Sequence, residues 1–304
     1  MTMIKVYIGI KRQIIFLAIL TLLLMPSTSK ALTSQKYPIH LADIWWNCSQ
    51  LPVEFESLVI AFKLDRQLQE KDFIYIAPLG YAELNSAKIY GGFQTDLMIP
   101  DEKSQIKSID FGKGLIASRW FNSKDSDRIG YAVAEHGSQT VVGDTEGSFV
   151  SLRRPTQWKS DAIYEFRLSK NMSVGKESWI SLSAVESKSG VITGLGRLKA
   201  EGKRIILAKN LASFVEIYSE GIKANKEFKV HFYLPIINGN ICKNPIVDVR
   251  YSGANIDIAK TTFVEANTDE IIVSVGEEKK NIPKNSLLNL SDYGKTKPTE
   301  SMSK

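Results

Sequence analysis

Histidine and cysteine are scarce in this sequence, with three and two residues among 304. His40, His136 and His231 are isolated from one another, and neither they nor Cys48 and Cys242 fall at the short spacings that build a zinc site. The chain also has no G-x-S-x-G elbow, no phosphate-binding loop and no dinucleotide fingerprint, which removes the hydrolase, nucleotide and dehydrogenase classes those motifs carry. Apolar residues recurring every three or four positions are missing as well, so a helical bundle or a doubly wound sheet is excluded.

The one long apolar run lies at the start. Lys5, Lys11 and Arg12 precede Ile14 to Met25, an uncharged stretch of 12 residues that Pro26 ends. Ser29 and Ala31 put small residues where a signal peptidase reads, so residues 1–31 are expected to be a leader cut before Leu32. As a helix, the run would reach about 18 Å against a hydrocarbon core of about 30 Å, too short for stable membrane insertion. The expected location is therefore secreted or periplasmic.

Removing the leader also removes most of the charge. Of 39 basic residues four lie in the leader, leaving 35 against 33 acidic ones, or +2. Both signs are interspersed, so nothing favours nucleic acid as a partner. In an oxidising compartment Cys48 and Cys242 are candidates for a disulfide across nearly the whole domain, worth roughly 5 kcal/mol in the chain-entropy model. Two separate buried thiols are the alternative.

What is present is alternation. Val53 to Leu64, Phe73 to Pro78, Ala87 to Thr95, Gly114 to Phe121, Ser148 to Arg153 and Ala162 to Leu168 read as strands. So do Ser178 to Val185, Phe228 to Leu234 and several shorter runs beyond them, separated by turn pairs such as Asn85-Ser86 and Asn238-Gly239. Ala162, Tyr164, Phe166 and Leu168 share one face of the clearest strand, and Gly91-Gly92 predicts a bulge or a close backbone approach. Many short strands in a chain of this size predict an all-β antiparallel sandwich of jelly-roll, concanavalin-like form, spanning residues 32–276 as one domain. A split at the polar segment 220–227 is the alternative. Residues 277–304 are lysine-rich and polar, and are expected to be disordered.

The ordered series GGFQTD (Gly91 to Asp96), GLIASRWF (Gly114 to Phe121), EGSFVSLRRPTQW (Glu146 to Trp158) and FVEIYS (Phe214 to Ser219) resembles a domain-of-unknown-function family of secreted proteins. That family's pattern runs from G-x-Q-T through F-S-x-W to E-G-x-x-V-R-R-P-x-x-W, and Ala117-Ser118-Arg119-Trp120 departs from its middle element. The resemblance covers about Tyr81 to Ser219. It implies a secreted β-sandwich associated with glycans and implies no reaction.

The corner from Gly143 to Leu168 carries the main site candidates. Arg153 and Arg154 end a strand, Pro155 stops the ladder and Trp158 follows, while Arg119-Trp120 repeats the pairing upstream. Guanidinium forks bind carboxylates and vicinal hydroxyls, and tryptophan stacks on sugar faces. Arg119, Trp120, Arg153, Arg154 and Trp158 are therefore the candidate ligand-binding residues, for a glycan or cell-surface polymer. The competing use is tryptophans in the core and arginines in ion pairs with Glu165 or Asp161. No cofactor is expected. Asn122 to Asp127 with Asp144 and Glu146 offers oxygen ligands for Ca²⁺ without the EF-hand spacing, and a solvated loop is the plainer reading.

No catalytic residue is assigned. A jelly-roll glycosidase needs facing carboxylates, and the E-x-D-x-x-E spacing is absent. A polysaccharide lyase would draw on a tyrosine or histidine base with arginine or glutamine against a uronate, types that Tyr164, His136, Arg153 and Gln94 supply. The leading expectation is a non-catalytic carbohydrate or cell-surface binding protein. The alternatives are a polysaccharide-active enzyme and a structural envelope or adhesion protein.

Overall fold

The computed structural model describes residues 38–100, 108–110, 112–122, 128–144, 147–219, 227–243, 245–252, 254, 257–267, 269–276 and 285–289. Residues 1–37, which include the expected leader, residues 123–127, Glu146 and most of the C-terminal stretch lie outside this set.

Two ten-stranded antiparallel sheets pack face to face as a β-sandwich. The first runs, in spatial order, Gln139–Gly143, Ser148–Pro155, Gly114–Phe121, Ala87–Gln94, Ile74–Leu84, Ile206–Ile217, Ile39–Asn47, Ile246–Tyr251 and Asn285–Asn289, with Val53–Glu54 beside Ile206–Ile217. The main path of the second runs Phe263–Ala266, Glu270–Val275, Phe228–Tyr233, Ser57–Leu64, Ile163–Val174, Glu177–Glu186, Ile192–Glu201 and Ala132–Ala134. Helical structure among the described residues is confined to three short turns, at Glu70–Asp72, Arg128–Tyr131 and Asp257–Lys260. None of them is long and apolar enough to cross a membrane.

Alternation becomes facing in the way a pleated strand dictates. In Ile163–Val174, Tyr164, Phe166 and Leu168 are buried while Glu165 and Arg167 pair with each other outside. The strand folds back onto Glu177–Glu186 through a two-residue turn in which Gly175 takes φ +62°, a conformation that favours glycine. Between the sheets, Phe93 meets Phe62 edge-on at 4.7 Å and Tyr164 at 5.3 Å. Phe166 reaches Gly91 so closely that a Cβ there would collide with its ring. On the other side, a Cβ at Gly92 would strike the backbone of Ile76 and Ala77, at a register break between the two strands. The glycine pair is thus required from both directions.

Segments following residue 227 enter both sheets: Phe228–Tyr233 pairs with Ser57–Leu64, and Ile246–Tyr251 with Ile39–Asn47. A Cys48–Cys242 disulfide joins positions 194 apart. One stretch departs from expectation. Inside the tail read as disordered, Asn285–Asn289 forms an edge strand against Ile246–Tyr251. Composition weighed the polar, lysine-rich surroundings and did not see that Ile246–Tyr251 leaves an unpaired edge for a five-residue strand to close.

Candidate functional site

The outer face of the first sheet carries a cavity of about 530 Å³. Its shape follows from residue size along successive strands. Lys88, Trp120 and Phe149 lie side by side in one cross-strand row. In the next row Tyr90 is followed by Ser118 and Ser151, whose hydroxyls meet at 3.0 Å, so two small residues sit where large ones flank them. Arg153 comes one row further, opposite Ile116. Tyr75 pairs with Gln94 on one side and Glu216 on the other, and His40 pairs with Glu216.

Aromatic rings connect across this face. Phe149 to Trp120 is 5.3 Å, Trp120 to Tyr90 5.7 Å, Tyr90 to Tyr75 6.1 Å, Tyr75 to Phe214 5.5 Å and Phe214 to His40 4.2 Å. The band crosses six strands, roughly 24 Å at about 4.8 Å per strand spacing.

Charges of both signs line the cavity. At one end His40 lies between two carboxylates, with Nδ1 2.6 Å from Asp43 and Nε2 3.0 Å from Glu216. Burial disfavours the imidazolium, but the hydrogen bonds and charges of Asp43 and Glu216 outweigh it and push the pKa up to about 10. Arg153 and Lys88 also line the cavity, from Ser148–Pro155 and Ala87–Gln94. Burial lowers the Arg153 pKa, with Tyr90 and Tyr75 opposing the shift. Tyr75 is 2% exposed. Burial, then Tyr90 and Glu216, push its phenol well above the usual range against the pull of Arg153, so the hydroxyl keeps its proton. That hydroxyl finds no hydrogen-bond partner among the described residues. Tyr218 is also raised, chiefly by burial, and its hydroxyl is held by the Asp96 backbone.

The five sequence candidates separate by strand parity. Trp120 and Arg153 line the cavity. Arg119, 4% exposed, points between the sheets, where it donates to the Lys199 carbonyl and the Glu201 carboxylate and lies over the rings of Phe121 and Tyr131 at 4.8 and 4.3 Å. Arg154 also turns inward and donates to the Gly194 carbonyl at 2.6 Å. Trp158 is 2% exposed, with its indole N–H on the Gln94 carbonyl and Lys113 4.5 Å above its ring. Consecutive residues of a strand face opposite ways, so Arg119-Trp120 and Arg153-Arg154 each contribute one member to the cavity.

Among the residues considered for lyase chemistry, Gln94 joins Arg153 at the cavity. Tyr164 is buried in the core and accepts from the Lys159 amide, and His136 is exposed on a loop. In the region considered for calcium, Asn122 accepts from Lys88 and Asp144 is paired with Arg128, while residues 123–127 and Glu146 are not described. His40, Tyr75, Tyr90, Phe149, Phe214 and Glu216 are not among the candidate ligand-binding residues read from the sequence. The pattern GLIASRWF signals Trp120 by parity, but nothing local links His40 to Glu216. No family model matches the chain, and no curated protein does.

Proposed function

We propose that the chain is a secreted, non-catalytic carbohydrate-binding β-sandwich that holds an oligosaccharide along the outer face of its first sheet. The observation that carries the reading is the aromatic band with Trp120 and Tyr90 at an open cavity edged by Arg153, Gln94 and Glu216. Rings of this kind offer apolar faces to sugar C–H surfaces, and the polar groups fix hydroxyl positions. Binding fits better than acid–base catalysis because His40, Tyr75 and Tyr218 all have pKa values raised away from neutrality, where a proton shuttle is useful. The Cys48–Cys242 disulfide accords with an exported protein.

The test is affinity of the oxidised protein for soluble β-glucans and polyuronates, by calorimetry. Trp120→Ala and Tyr90→Ala are expected to weaken binding roughly tenfold or more. Undiminished binding in folded variants, or no binding by the wild type, refutes the reading. A second reading, β-elimination of a polyuronate, is favoured by the meeting of Arg153 and Gln94 with Tyr75 and Tyr90 at one cavity. It predicts ultraviolet-absorbing unsaturated products, which pure binding does not yield.

A further inference from the structure

Two features of the cavity narrow the ligand further than its aromatic lining does. The first is the Tyr75 hydroxyl, buried at the cavity with its side chain and without a partner among the described residues. Leaving such a donor unsatisfied is unfavourable, a penalty that a bound acceptor would lift. The second is the distribution of charge. Asp43 and Glu216 share the His40 imidazolium, so the carboxylates at that end already hold a cation. Arg153 lies near the Tyr75 and Tyr90 phenols, with its Nε 3.5 Å from the Ser151 hydroxyl, and Lys88 lines the cavity two rows away and donates to the neutral Asn122 amide at 3.0 Å. A ligand at Tyr75 would meet the phenol donor with the Arg153 guanidinium and the Glu216 carboxylate both close to it.

We propose that the groove selects an anionic sugar unit, whose charged oxygens accept from the Tyr75 hydroxyl and the Arg153 guanidinium while its neutral hydroxyls face Glu216. The inference rests on the glycan-binding reading above. A carboxylate and a sulfate ester present the same acceptor chemistry to a phenol and a guanidinium fork.

Affinities of the full-length oxidised protein for polygalacturonate, dextran sulfate and a neutral β-glucan separate these outcomes. The expected result is binding of one anionic polymer at least tenfold tighter than the neutral one, and which polymer it is identifies the anion. Tyr75→Phe changes no charge, so a roughly tenfold loss on the anionic polymer alone marks a specific hydrogen bond and not general attraction. The same variant should melt no lower than the wild type, because it deletes an unsatisfied donor. Arg153→Gln should lose the anionic preference, and Arg153→Lys should recover part of it. If Arg153→Gln fails to fold, Tyr75→Phe alone decides. Equal affinity for neutral and anionic polymers overturns the inference and leaves the glycan reading standing, as does anionic binding undiminished in Tyr75→Phe. A lowered melting temperature in Tyr75→Phe also overturns it, since the phenol would then have a partner within the fold. Failure to bind any of the three polymers overturns the glycan reading itself.

Discussion

Arg119→Met is the substitution that most sharply separates a structural arginine from a ligand-binding one. The guanidinium crosses from the first sheet to the second, donating to the Lys199 carbonyl and to Glu201 between the rings of Phe121 and Tyr131. The bond to a carboxylate contributes about 1.5–3 kcal/mol and the bond to a carbonyl about 1 kcal/mol. The two ring contacts add about 1 kcal/mol each. Against these stand the cost of burying the charge and of Nε, which has no partner among the described residues, and a methionine of similar reach recovers part of the packing. Glu201 is about half exposed and can rehydrate once its partner is gone, so the full penalty of a stranded buried ion does not apply. The net loss is about 2–4 kcal/mol, a fall of roughly 5–15 °C in melting temperature for a domain of this size. Scanning calorimetry measures it. A pH profile adds an independent sign. Burial alone would raise the Glu201 pKa, but the Arg119 hydrogen bond and charge outweigh it and hold the carboxyl below its usual value of 4.5. Stability from this pair is therefore present above pH 4.5 and is lost as pH falls through the lower folded value, and Arg119→Met should flatten that acid limb. Glycan affinity should not change. A folded Arg119→Met protein with wild-type melting and lost binding would refute the assignment.

Two other perturbations test the frame and the cavity. The His40 pKa lies near 10, above its unfolded value of 6.5, so its contribution is fully present below pH 6.5 and is lost as pH rises through about 10. Urea midpoints taken between those limits should fall for the wild type, and more gently for His40→Gln; parallel curves would refute the pairing with Asp43 and Glu216. Replacing Cys48 and Cys242 together with alanine should destabilise by roughly 5 kcal/mol in the chain-entropy model, about 10–20 °C in melting temperature. An unchanged thermogram would mean that the unfolded chain is not restrained by the bridge.

The sequence by itself determined the strands and which way most side chains point, because both follow from a period of two within a few residues. Ile163–Val174 shows this in Tyr164, Phe166 and Leu168, whereas Arg119 and Trp120, both candidate ligand-binding residues from the sequence, are separated by the structure, Arg119 inward and Trp120 at the cavity. The Gly91-Gly92 pair likewise announced a close approach before Phe166 and Ile76 supplied its cause. Only the tertiary structure decided which strands stand side by side. Pairing of Ile39–Asn47 with Ile206–Ile217 sets His40 against Glu216, and Ile74–Leu84 then brings Tyr75 to the same place. The partner of Arg119 and the strand at Asn285–Asn289 were settled in the same way. Register between distant segments depends on the packing of a whole sheet, and no local pattern encodes it. The cavity is built from such registers, and for that reason one face of the arginine–tryptophan corner reaches it and the other does not.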